Sequence, residues 1–149
     1  MKAERAKLAR LQRLEKLRAI AKQNAVTEAA RAETTLSQLT TLVERTQSLT
    51  QEYAARRDMA DGGDLARMQR FIMGLQGIAA TTTADRQRAH ALADRRQAEL
   101  VAAERRRAAV EDRASQQARF IAAKLRNAGF SGNSSGRVPS GDDSGTDHA

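Results

Sequence analysis

From Leu65 to Ile121 the chain keeps one spacing without a slip. Leu65, Met68, Ile72, Leu75, Ala79, Thr82, Arg86, Ala89, Ala93, Arg96, Leu100, Ala103, Arg107, Val110, Ala114, Gln117 and Ile121 follow one another in alternating steps of three and four. Such a heptad repeat puts these residues on one narrow stripe of a helix, and a narrow stripe is best buried by a second helix lying along it. A compact core is excluded for want of material. Trp is absent, Tyr53 is the sole tyrosine, and Phe71, Phe120 and Phe130 are the only phenylalanines. Much of the apolar content is Ala, which contributes little on burial because stabilisation scales with the apolar area removed from water.

The second helix lies upstream. No Gly or Pro occurs between Ala3 and Met59, and Leu36, Leu39, Val43, Thr46, Thr50 and Tyr53 keep the same spacing. Further upstream Ala21, Ala25, Ala29 and Ala32 include extra steps of four, which reads as a stutter that locally unwinds the supercoil. Asp61-Gly62-Gly63-Asp64 is the strongest break. Its glycines tolerate φ > 0, and Asp64 suits a helix N-cap. The expected fold is all-α: a long two-helix antiparallel coiled-coil hairpin over 1–126, with a helix over 3–59, a turn over 60–64 and a helix over 65–126. Residue i then lies roughly opposite residue 124 − i, so that Leu49 meets Leu75 and Leu14 meets Val110. Residues 127–149 hold five Gly, five Ser and the sole proline, Pro139. Too few apolar side chains are present there to offset the entropy of ordering, so a disordered tail is expected.

Charge is uneven along the chain. The net formal charge is +8. Met1–Lys22 carries eight basic and two acidic residues and Arg105–Arg126 seven and two, whereas residues 23–60 carry four and five. A fold-back brings the two basic stretches together, with Lys7, Arg10, Arg13, Lys16, Arg105, Arg106, Arg107, Arg113 and Arg119 as the cations to watch. Three readings stand: a solvated surface, a dock for an acidic protein, or a phosphate-binding face. The sequence has no stacking aromatics or zinc spacing to read a nucleic acid, so nucleic acid is not the expected partner. A second candidate lies near the turn, where Phe71, Leu75, Ile78 and Thr82 form a stripe beside the seam, with Leu42 and Leu49 flanking it on the first helix. It reads either as a locally widened seam or as an apolar patch for a partner. Gly74 and Gly77 interrupt this stretch at a cost of about 1 kcal/mol each against Ala, which a close backbone approach would explain.

Enzymatic chemistry finds no footing. Cys is absent, no glycine-rich phosphate loop or catalytic triad occurs, and His90 with Asp94 supplies at most two metal positions. No catalytic, cofactor-binding or metal residues are therefore expected. No signal peptide or apolar span is evident, so the chain reads as cytoplasmic without direct membrane insertion.

Size, basic heptad hairpin and local matches together resemble the FliJ family of flagellar type III export proteins, and the related YscO-like stalk proteins of injectisomes. Met68-Gln69-Arg70-Phe71-Ile72-Met73-Gly74-Leu75 is similar to the family's Gln-x-Phe-Ile-x-x-Leu segment opening the second helix. Ala32-Glu33-Thr34-Thr35-Leu36-Ser37-Gln38-Leu39 carries a second match. The resemblance covers residues 1–126 and implies a non-enzymatic stalk that links the export ATPase hexamer to the cytoplasmic domain of the export-gate protein FlhA. It also implies a role in cycling export chaperones, at the cytoplasmic face of the inner membrane. Carried over by position, gate contacts fall on Thr35, Leu39, Leu42, Thr46, Phe71, Leu75, Ile78 and Thr82, and the basic residues above face the ATPase ring. Leu42 and Thr46 stand where the family can have Tyr, and the turn looks shorter. A basic coiled coil for nucleic acid, or an unrelated helical adaptor, remains the alternative reading.

Overall fold

The structure is a computed structural model that describes residues 1–56 and 62–134. Every described residue except Met1 and Arg56 is helical: α1 spans Lys2–Ala55 and α2 spans Gly62–Ser134. The two pack antiparallel as a hairpin. They divide into two compact units, one formed by Met1–Lys16 with the segment from Ala109 onward, the other by Leu17–Ala108.

In the second unit the seam is set by small and branched side chains. Val43 is wholly buried, and Ala29, Ala32, Leu75, Ala89, Ala93 and Ala103 are buried with it. All the buried α2 residues of this unit are members of the predicted heptad stripe. Two polar members, Thr46 and Thr82, are also buried. Each satisfies its hydroxyl within its own helix: Thr46 donates to the Leu42 carbonyl at 2.8 Å and Thr82 to the Ile78 carbonyl at 2.7 Å. A back-bonded Thr presents only its methyl to the seam, so the polar residue packs as an apolar one. Tyr53 and Phe71 meet edge to face with centroids 4.7 Å apart. Counting away from that contact, the seam positions stay in step: Thr46 with Ala79, Val43 with Thr82, Ala32 with Ala93.

In the first unit Val110, Ala114, Gln117 and Ile121 are buried, against the half-buried Leu8, Leu11 and Leu14. Gln117 Nε2 donates to the Glu4 carbonyl at 3.1 Å, and Lys124 Nζ reaches Glu4 Oε1 at 3.1 Å. Glu4 is thereby clamped between two turns of α2.

Several expectations are corrected. The stutter is absent. Ala21 is exposed, whereas Lys22, Arg18 and Glu15 are half-buried and complete the alternation of three and four along α1. Long side chains lay their methylene stems in the seam and keep their heads in water, a role that a count of apolar letters does not register. Leu17 and Ile20, apolar by letter, are mostly exposed. Helix α1 ends at Ala55, not 59, and α2 opens at Gly62, not 65. Asp64 therefore sits inside the first turn of α2, paired with Arg67, where its charge favours the positive end of the helix dipole. No glycine among the described residues has a positive φ. Helix α2 runs eight residues past the expected end at 126, to Ser134. No proline intervenes, and extending an existing helix adds a hydrogen bond for each residue fixed. The rest of the expected turn, at 60–61, and of the expected tail, at 135–149, lies outside the described residues.

Candidate functional site

Seam geometry sorts the eight gate-contact candidates into two groups. Leu75, Thr46 and Thr82 are buried, and Leu39 is half-buried, all in the seam of the second unit. They hold the helices together and present no free face. Thr35, Leu42, Phe71 and Ile78 are exposed. The position list thus mixes packing residues with surface residues, because both recur at helical spacing and a stripe read from sequence does not say which edge is covered.

The exposed members fall on one edge. Leu42 and Leu49 immediately precede the seam residues Val43 and Thr50; Phe71 and Ile78 precede Ile72 and Ala79 in the same phase of the repeat. Antiparallel helices are related by a twofold axis across their seam, so equivalent flanking positions line the same side of it. Taken in seam order, the residues alternate between helices: Phe71, Leu49, Ile78, Leu42. Their exposures lie between 42% and 53%. Each is half seated against the hairpin and half open, which makes a continuous apolar row and not isolated surface residues. Leu49 is the member that the transferred positions missed; its flanking phase is the signal that identifies it. Asp64 and Asp85 occupy the same phase beyond the two ends of the row, ion-paired to Arg67 and Arg88 respectively. At the Phe71 end, Tyr53 packs against the Phe71 ring on one side and carries the Arg56 guanidinium 4.4 Å from its own ring centroid. That arrangement holds Phe71 in place while leaving its outer face free.

Gly74 and Gly77 face open space. A methyl added at either would meet nothing within 4 Å. No close approach among the described residues therefore requires them.

The basic candidates divide between the units. In the first, Lys7, Arg10, Arg13, Lys16, Arg113 and Arg119 are all exposed. Lys7 and Arg113 rim an open groove whose other walls are Leu11, Gln116, Gln117 and the half-exposed Phe120. Lys124 Nζ stands 5.0 Å from the Phe120 ring centroid. A cationic rim over an apolar floor suits an acidic segment with an apolar residue in it. In the second unit Arg105 and Arg106 are exposed, but Arg107 lies in the seam with its Nε buried. Arg107 is a seam residue, not a free surface cation.

Glu4 is the acidic group that the first unit perturbs most. Its carboxyl is held down from the ordinary 4.5 to about 2. The causes, in order, are a hydrogen bond from its own backbone N–H, one from the Met1 ammonium, and the bond and charge of Lys124. His90 Nδ1 lies 3.2 Å from Asp94 Oδ2, both side chains well exposed. Among the described residues no group of three or more His, Cys, Asp or Glu converges as a metal site, and no helix is long and apolar enough to cross a membrane. No known protein family, curated protein or solved structure matches the chain.

Proposed function

We propose that the protein is a non-enzymatic coupling component of a type III protein export apparatus, its apolar row docking on the cytoplasmic domain of the export gate and its basic segments facing the export ATPase ring. The observation that carries the proposal is the row itself. Phe71, Leu49, Ile78 and Leu42 stand half exposed in register along one edge of the hairpin, within the stretch that resembles the FliJ family. Soluble monomers rarely expose contiguous apolar residues of this size without a partner for them. The grooved, cationic first unit supports the second half of the reading, since an acidic lumen would steer and hold such a surface at moderate salt. Cycling of export chaperones is part of the same proposal, and rests on the resemblance alone.

The direct test is a titration of the full chain with the gate's cytoplasmic domain and, separately, with the ATPase. Ile78→Asp combined with Leu42→Asp is expected to abolish gate binding while leaving ATPase stimulation intact. Lys7→Glu combined with Arg113→Glu is expected to do the reverse. Gate binding that survives the first pair would remove the apolar row from the proposal.

A further inference from the structure

One layer of the second unit's seam sets cation against cation. The opposing positions are fixed by the contact between Tyr53 and Phe71, which sets Tyr53 level with Ile72 and, by equal steps along both helices, Ala29 level with Arg96. From Ala29 the α1 seam steps back by four, three and four to Ala25, Lys22 and Arg18. From Arg96 the α2 seam steps forward by four, three and four to Leu100, Ala103 and Arg107. Equal steps in antiparallel helices keep the layers aligned, so Arg18 meets Arg107. Both are half-buried, and the Nε of each is buried with no hydrogen-bond partner.

The neighbouring seam arginines are handled differently. Arg96 donates to Glu99 at 2.9 Å, and that bond and charge raise its pKa further above the ordinary arginine value. Arg86 meets the apolar Leu39. Only at Arg18 and Arg107 do two guanidiniums share a layer, and among the described residues no ion pair joins either one to a carboxylate. Lys22 lies in the next layer, and Arg105 and Arg106 precede Arg107 in sequence. Glu104 and Glu111 lie one turn to either side of Arg107, and Glu15 one turn before Arg18, but none of them is ion-paired to either arginine. A buried N–H without an acceptor and two like charges side by side are both unfavourable, and one added group removes both defects: an oxyanion that accepts from both guanidiniums.

We propose that the Arg18–Arg107 layer is a binding site for one small oxyanion of the phosphate type, and that its occupation tightens the seam of the second unit. The site does not depend on the partners proposed above. Its chemistry is bidentate recognition of oxygen pairs by arginine, which chloride cannot satisfy.

The test is thermal unfolding of the full chain, followed by circular dichroism, in sodium phosphate and in sodium chloride at equal ionic strength. At phosphate tenfold above its dissociation constant, the folded-to-unfolded ratio of the wild type should rise about elevenfold over chloride, in a saturable way. Arg18→Met combined with Arg107→Met keeps the stems and removes the charges. It should unfold at a higher temperature than wild type in chloride and lose the saturable response. Arg45→Met combined with Arg70→Met changes net charge equally at exposed positions and should respond as wild type. A phosphate response equal in all three proteins would be the general salting effect of excluded anions and would overturn the proposal. So would a wild type that responds to phosphate no more than to chloride.

Discussion

Leu75 and Ile78 are one helical turn apart, and the structure assigns them opposite duties. Leu75 is 8% exposed and lies in the seam; Ile78 is 53% exposed and lies in the apolar row. Replacing each with Ala separates folding from docking. Leu75→Ala removes a buried side chain from a two-helix interface that has little else to close over the gap, so it should cost about 2–4 kcal/mol of folding stability. For Ile78, full burial of such a side chain stabilises by roughly 1.5–3 kcal/mol. With 53% of its surface still open, about 0.8–1.6 kcal/mol of that is left for a partner to realise. Ile78→Ala should therefore weaken gate binding by about 4- to 15-fold. Its folding cost should stay below about 1 kcal/mol, because Ala recovers part of the loss through its higher helix propensity. Urea unfolding by far-ultraviolet circular dichroism measures the first quantity, and titration with the gate domain at a temperature where both variants are folded measures the second. The sorting of the row from the seam is refuted if Leu75→Ala leaves stability unchanged yet weakens binding, or if Ile78→Ala destabilises as much as Leu75→Ala.

Three other outcomes follow from single features. Val43→Ala, at a fully buried side chain, should lower stability by about 1–3 kcal/mol in the same urea assay, with helix content unchanged before the transition. Gly74→Ala and Gly77→Ala, each facing open space, should each raise stability by about 0.8–1 kcal/mol; a loss would mean that an added methyl meets something. Glu4 has its folded pKa depressed, so its contribution is present above the unfolded value of 4.5 and is lost as pH falls through about 2. Glu4→Gln should flatten the pH dependence of unfolding in that window, and a carboxyl resonance of Glu4 that titrates near 4.5 would contradict the assignment.

The heptad of the second helix was legible from sequence from Met68 onward, while Leu65, its first member, is exposed. Each buried residue of α2, from Leu75 to Ile121, belongs to the unbroken stripe, because Ala, Val and Ile take seam positions there and the eye follows them. The first helix was legible from Ala25 onward, where Ala25, Ala29 and Ala32 lie in the seam as read. Upstream, Glu15, Arg18 and Lys22 occupy seam positions while Leu17 and Ile20 point outward, so the pattern of apolar letters departs from the pattern of burial. The stutter was a consequence of counting Ala21 in place of Lys22. The apolar row was half legible. Phe71, Ile78, Leu42 and Leu49 fell outside the heptad stripe that holds Leu75 and Thr82, but the gate positions carried over from the family resemblance mixed the two sets. Knowing which edge is covered takes the pairing phase of both helices together. Helix ends were the least readable, since Gly62 and Gly129 are each accepted into α2, where propagation costs less than stopping.

The contact between Tyr53 and Phe71 has one more consequence. Tyr53 is the only tyrosine and there is no tryptophan, so emission excited beyond the phenylalanine absorption band comes from a single phenol. That phenol touches the first residue of the apolar row and stacks under Arg56. A ligand that covers Phe71 changes the contacts of this ring, and with them the yield of its emission. The protein thus carries an unlabelled fluorescent reporter at the edge of its apolar row. With a partner fragment that lacks tyrosine and tryptophan, the emission of Tyr53 would register occupancy of the Phe71 end of that row.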